Sequence, residues 1–363
     1  MPDPSLPADD RFDAADEAAR AALETETDAP AEGTGGALLL GRLLANRDVA
    51  ILIVALVLFA VFALLGPRFL SENNLVDIAR RAAILGILAV GMTYLFVAGE
   101  LDLSIGSHYG FLLILMSFQE ERLGIDPWLC AGVVILIGLA IGAVNGLLVT
   151  RVGLPSFITT LGMLALLRGA ANTVSSGYPI PAKNTDLAFY RIIRADFPGT
   201  PIPNLFVAMA IVMVIGGIVL ARTKFGSDLY ATGGDVEAAR NNGIDTRRVK
   251  LVCFVLMGGL CGLSAALLFG RVGLAPLSAG VNLELQVIAA IIIGGVALFG
   301  GRGTIFGSFI GVLILCMMTS GIILIGVKQF WDGVATGVVI LVAAGLNLLV
   351  RQRAGGRLSR ADL

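Results

Sequence analysis

Four ionisable residues stand inside or beside long apolar runs: Glu100, Asp102, Arg168 and Glu284. A charge at the centre of a membrane helix costs about 2.5–3.5 kcal/mol on insertion scales, so such residues mark partners, pathways or relays. Asp102 has a second reading, because together with Ser104 it can cap a helix that starts near Leu103. Arg168 can pair with a carboxylate or reach for an interface. Other chemistry is scarce. His108 is the only histidine, so a zinc ligand set cannot be assembled and no metal site is expected. Cys130, Cys253, Cys261 and Cys316 each lie in an apolar run without a CxxC pairing, which reads as small hydrophobes in helices. None of the four lysines (Lys183, Lys224, Lys250 and Lys328) follows a glycine, so the GxxxxGK phosphate cradle is missing. Uphill transport powered by ATP would need another chain to hydrolyse it.

The elements that must position these residues are read from composition. Of 363 residues, 56% are hydrophobic and 15% charged, with mean hydropathy +0.88. Soluble domains carry about 25% charged residues, so a soluble enzyme, a nucleic-acid binder and a disulfide scaffold are all excluded. A helix crosses a bilayer with about 20 apolar residues. Runs at 49–65, 82–98, 105–118, 128–149, 154–174, 205–221, 251–269, 285–299, 305–327 and 333–350 predict an all-α, polytopic transmembrane bundle of about ten spans. Two of these, 105–118 and 285–299, are short, which is tolerated where a helix faces protein or a cavity.

Charge placement sets the ends. Residues 1–36 hold ten acids against Arg11 and Arg20, so 1–46 reads as an acidic, disordered cytoplasmic tail. It is no signal peptide, since no basic stretch precedes an apolar core. The apolar transmembrane body is 47–350, and 351–363 is a basic cytoplasmic tail. With both termini inside, sixteen Lys and Arg fall on the inner side and nine on the outer, in accord with the positive-inside rule. Segment 67–81, with Arg80 and Arg81, reads as an amphipathic helix lying on the outer surface. Two loops are long enough to be functional, 175–204 outside and 222–250 inside.

The inner loop is dense in charge. Gly233 and Gly234 should break the chain, and residues 235–242 should form a short helix with Asp235 at its start and Gly243 at its stop. The alternatives are an ordinary cytosolic loop and a docking element. Here the sequence resembles a known family. Glu237-Ala238-Ala239 followed by Gly243 and Ile244 resembles the EAA-type coupling loop of ABC importer permeases. The longer string FGSDLYATGGDVEAARNNGI looks like the version in ribose/xylose/galactose-type sugar permeases. AVGMTYLFVAGELDLSIGS (89–107), IGAVNGLLVTRVGLPSFITTLGMLALLRG (141–169) and VIAAIIIGGVALFGGRGTIFGSFIG (287–311) resemble three more segments of that family, in its order. The residue before the family's Asp-Leu-Ser stretch is variable, and here Glu100 adds a second carboxylate near Asp102.

The resemblance implies a permease subunit that moves a small carbohydrate across the bacterial inner membrane and breaks no bond itself. It implies no cofactor in this chain, with ATP and Mg on a separate cytosolic ATPase that docks at 222–250. It further implies a periplasmic sugar-binding protein and a second permease chain, in a homodimer or a heterodimer. Related solutes are branched-chain amino acids, nucleosides or a furanosyl signal; an ion-coupled carrier would leave 222–250 without a purpose. For a neutral sugar, planar amides and aromatic faces make the recognition surface, so Asn145, Asn172 and Phe157 join Glu100, Asp102, Arg168 and Glu284 as expected lining of the path.

Two glycine series, Gly138, Gly142, Gly146 and Gly303, Gly307, Gly311, have GxxxG spacing, which lets helix backbones approach closely. They serve packing inside one subunit, or a dimer seam or moving gate. Segments 99–107 and 300–308 align Gly99 with Gly300, Gly106 with Gly307 and Ser107 with Ser308, which suggests two related halves.

Overall fold

A computed structural model describes residues 47–326 together with 333, 334, 337 and 338. The acidic tail, the basic tail and nearly all of the expected tenth run at 333–350 lie outside the described residues. The helices are α1 (Arg47–Leu65), α2 (Glu72–Val97), α3 (Ile105–Leu123), α4 (Pro127–Leu147), α5 (Ser156–Ser175), α6 (Ala188–Arg194), α7 (Asn204–Arg222), α8 (Lys224–Gly234), α9 (Val236–Asn241), α10 (Thr246–Val272), α11 (Leu283–Ile293) and α12 (Ile305–Leu324). Two short strands, β1 (Ile180–Pro181) and β2 (Leu274–Ala275), pair antiparallel. By length and composition, six helices among the described residues suffice to cross a membrane: α1, α4 with its continuation to Val152, α5, α7, α10 and α12. The chain is a polytopic helical membrane bundle.

The centre is α2, which is buried at every residue from Ala82 to Val97. Its apolar run has no polar face because α7, α10, α11 and α12 all pack against it. Small residues allow the approach. A Cβ on Gly91 would meet the Met257 backbone at 3.2 Å, and one on Gly216 of α7 would meet Val90 at 2.7 Å. The Tyr94 hydroxyl donates to the Gly216 carbonyl at 2.7 Å, and the Thr93 and Ser308 hydroxyls are 2.7 Å apart, tying α2 to α7 and α12.

Three expectations are corrected and one holds. Segment 67–81 is no separate surface helix: from Glu72 onward it is the first turns of α2, and Arg80 faces Asp77 and Asp196 at 3.8 and 3.9 Å. Arg80 thus has acidic partners within the protein at that end. Gly233 and Gly234 interrupt the chain as expected, at the end of α8, a helix capped at its start by Thr223, whose hydroxyl accepts from the Gly226 amide at 3.3 Å. Gly303 is on no helix; it lies in the turn before α12, so only Gly307 and Gly311 of its series share a helix face. The run 285–299 is helical only to Ile293, and at about 1.5 Å per residue α11 is too short for a ~30 Å core. The stretch 273–282 that leads into α11 packs on α3, where the Ala279 and Gly280 carbonyls press on Gly110 and Gly106.

The remaining glycines of the two series face this chain. A Cβ on Gly142 would overlap the Phe254 carbonyl of α10, one on Gly138 the Gly258 carbonyl, and one on Gly146 would meet Leu251 at 2.7 Å. Gly307 and Gly311 likewise abut the Gly294 and Ala290 carbonyls at the end of α11. These positions are spent on contacts within one chain.

Candidate functional site

The site is built at one end of the bundle, where the irregular link between α2 and α3 meets α4 and α5. α2 ends in a Schellman motif: the Gly99 amide donates to the Phe96 carbonyl at 2.9 Å and the Glu100 amide to the Leu95 carbonyl at 2.8 Å. Gly99 takes φ +76°, the left-handed conformation that a side chain resists. The chain then runs through Leu101–Ser104 into α3. Asp102 is 1% exposed. Its Oδ1 accepts from the Ser104 amide at 2.8 Å and from the Ser104 hydroxyl at 2.6 Å. This is a local turn ahead of α3, which starts at Ile105 and carries no side-chain cap, so the capping expected of Asp102 near Leu103 is not formed. Asn145 of α4 donates through Nδ2 to the Ser104 hydroxyl at 3.1 Å, and the Leu103 amide donates to Thr160 of α5 at 3.1 Å. Three helices thus converge on one buried polar node. Among the described residues, Asp102 Oδ2, Asn145 Oδ1 and Thr159 Oγ1 are buried without a protein hydrogen-bond partner. Buried polar atoms normally find one, so the node has capacity for added donors.

Glu100 does not join that node. It pairs with Lys250 in the first turns of α10, Nζ to Oε1 at 2.5 Å. Lys250 had no assigned role in the sequence reading beyond its count as an inner-side charge. The available signal was its position immediately before the apolar run that begins at Leu251.

Arg168 has, among the described residues, no carboxylate within ion-pair distance. Its Nη1 donates to the Ala279 carbonyl at 3.0 Å and to the Leu277 carbonyl at 3.3 Å. A guanidinium satisfies the backbone of the irregular stretch 273–282, which has no helical partner of its own. Glu284 lies next to it, with Oε2 against Gly106. Hydrogen bonds to a charged donor are worth about 1.5–3 kcal/mol. Arg168→Ala should therefore lower the stability of the detergent-purified protein by about that amount, read as a downward shift in thermal unfolding; an unchanged midpoint would remove Arg168 from this role.

The other expected lining residues are apart from the node. Phe157 is 53% exposed at the start of α5. Asn172 is exposed at the far end of α5, where its carbonyl accepts from the Gly177 amide at 3.1 Å. Of the seven, the structure gathers Asp102 with Asn145, and Arg168 with Glu284.

At the same end as the node lies the segment α8–α9. Asp235 caps α9, its Oδ1 accepting from the Glu237 and Ala238 amides at 2.9 and 3.0 Å. Gly243 takes φ +81°, and the Ile244 amide closes the turn onto the Ala239 carbonyl at 3.1 Å. Glu237, Ala238 and Gly243 are exposed, whereas Ala239 is buried and Ile244 packs on the core. The five residues of the expected coupling motif therefore divide: three face out and two seat the turn. Arg240 Nε donates to the Thr246 hydroxyl at 3.0 Å, fixing α9 to the start of α10.

The chain matches the family model described as "Branched-chain amino acid transport system / permease component" over residues 74–344. It is 33% identical, over 85% of its own length and 91% of the relative's, to the "Probable ABC transporter permease protein YphD" of Escherichia coli strain K12. It is 37% identical to a ribose import permease protein of Bacillus subtilis strain 168, over 80% of this chain and 89% of that one. It is 30% identical to an autoinducer 2 import system permease protein of Photorhabdus luminescens, over 82% and 88% of the two chains. No solved structure matches it.

Proposed function

Since the chain belongs to the branched-chain amino acid transport system permease family, we propose that it is the membrane-spanning subunit of an ATP-binding-cassette importer that admits a small carbohydrate of ribose type. The observation that carries this reading is the 37% identity to a ribose import permease along four-fifths of the chain. The chain breaks no bond. A separate cytosolic ATPase binds ATP and Mg and clamps the face made by Glu237, Ala238 and Gly243. A soluble periplasmic sugar-binding protein delivers the solute at the opposite end, and a second permease chain completes the pore. The protein resides in the bacterial inner membrane with both termini in the cytoplasm.

The geometry supports a mechanism in which α9 is a rigid handle. Its capped N-terminus, its left-handed stop at Gly243 and its tie to α10 through Arg240 leave it little freedom of its own. A displacement of α9 is therefore a displacement of α10, the helix most closely packed on α4. That movement alters the node at Asp102 and Asn145. A polyol offers hydroxyl donors, and Asp102 Oδ2 and Asn145 Oδ1 are acceptors with unused capacity; passage past them is a matter of transient hydrogen bonds, not tight binding.

The test is uptake of radiolabelled ribose by cells that lack their own ribose permease and carry this chain with an ATPase and binding protein from its genomic neighbourhood. ATP-dependent accumulation is expected, lost when the ATPase is inactivated. Uptake of autoinducer 2 in place of ribose would move the cargo to the one named by the 30%-identical relative. Uptake that persists without the ATPase but collapses with the proton gradient would overturn the reading.

A further inference from the structure

We propose that the Glu100–Lys250 ion pair is a positioning link that ties the α8–α9 segment to the polar node at Asp102 and keeps solute release in step with ATP hydrolysis. The inference rests on the functional reading above and extends it to two residues outside the recognised coupling motif.

Three observations carry it. Glu100 and Lys250 lie 150 positions apart, yet their charged atoms are in contact, with side chains only 10% and 19% exposed. Charges removed from water to this degree are held in place by each other, since either one alone would be buried and uncompensated. Second, Glu100 closes the Schellman turn of α2 and is two residues from Asp102, while Lys250 is four residues beyond Thr246, the anchor of Arg240 in α9. The pair therefore bridges the node and the handle by the shortest covalent routes. Third, the other end of the coupling segment grips the same stretch. A Cβ on Gly233 would overlap the Val97 carbonyl, which also accepts from the Gly301 amide at 3.0 Å. Residues 97–104 are thus held from both ends of 224–250, one contact being backbone against backbone and the other a salt bridge. A force applied to α9 reaches Asp102 along both.

The experiment uses the whole importer, this chain with its ATPase and binding protein, reconstituted in proteoliposomes. Ribose accumulated per ATP hydrolysed is compared for the wild type, Glu100→Gln, Lys250→Met and the charge swap Glu100→Lys with Lys250→Glu. Each single variant should keep ATP hydrolysis but lose about tenfold in ribose per ATP, within the usual range of coupling effects. The swap should restore most of the ratio. A structural role alone would lower the amount of folded complex and leave the ratio untouched. Single variants with a wild-type ratio overturn the proposal. So does a folded swap that fails to recover the ratio, which keeps the test decisive even if a single variant does not fold. The wild-type complex judges the functional reading separately: if it shows no ATP-driven uptake, that reading fails before the ion pair is reached.

Discussion

Cells carrying Glu237→Arg together with Gly243→Trp should insert the protein normally and take up no ribose, a loss of about a hundredfold or more. The argument is one of magnitudes. Gly243 sits at φ +81° with open space where a Cβ would project. The cost of a side chain there is the left-handed backbone, about 1–2 kcal/mol. Glu237 is exposed in the first turn of α9, and reversing its charge near a helix N-terminus costs about 0.3–1 kcal/mol. Neither penalty approaches the stability of a bundle this size. What changes is the surface: an acidic, small face becomes a basic, bulky one where the ATPase is proposed to clamp. Insertion is measured by fluorescence-detected gel filtration and uptake by filter binding of radiolabelled ribose. Uptake that survives both substitutions would falsify the coupling assignment.

The second large effect concerns the fold. Gly142→Leu should leave little or no folded protein after detergent extraction, whereas Gly132→Leu, on the same helix, should behave as wild type. A Cβ at position 142 overlaps the Phe254 carbonyl, and Val255 Cα lies 3.1 Å away. These are backbone atoms of α10 and cannot rotate aside. Overpacking usually costs about 1–3 kcal/mol when side chains can adjust; here two helix axes must separate, placing the variant among the rare substitutions above about 4 kcal/mol. At Gly132 nothing lies within 4 Å. The measurement is the monodisperse fraction of each variant on gel filtration and its unfolding temperature. Equal behaviour of the two variants would show that α4 and α10 are not held at backbone distance.

Several features were legible in the residues alone, for a reason common to them all: they depend on short-range rules. Apolar runs long enough for a bilayer must become helices, because only a helix satisfies its own backbone in lipid. The α9 turn was readable from Asp235 and Gly243, since capping and left-handed stops act within a few residues. The family was visible as strings in order. Other features needed the assembled chain. GxxxG spacing announces close approach but not the partner, and only the fold shows Gly142 on α10 and Gly311 on α11. The start of α2 looked like a surface helix because its arginines were read against lipid, when Arg80 faces Asp77 and Asp196.

The charged residues divide most sharply. That Glu100, Asp102, Arg168 and Glu284 would need partners followed from their apolar neighbours and the cost of burying a charge. Which partners they have did not, because each partner is distant in sequence: Lys250 for Glu100, and the carbonyls of 277 and 279 for Arg168. Asp102 is the exception: its partner Ser104 is two residues away and was named with it, although the pair forms a turn ahead of α3 and not the helix cap expected of it. Local order and membrane class are written in the chain itself, since they arise from backbone and solvent. The identity of each buried contact is decided only when helices far apart in sequence are packed side by side.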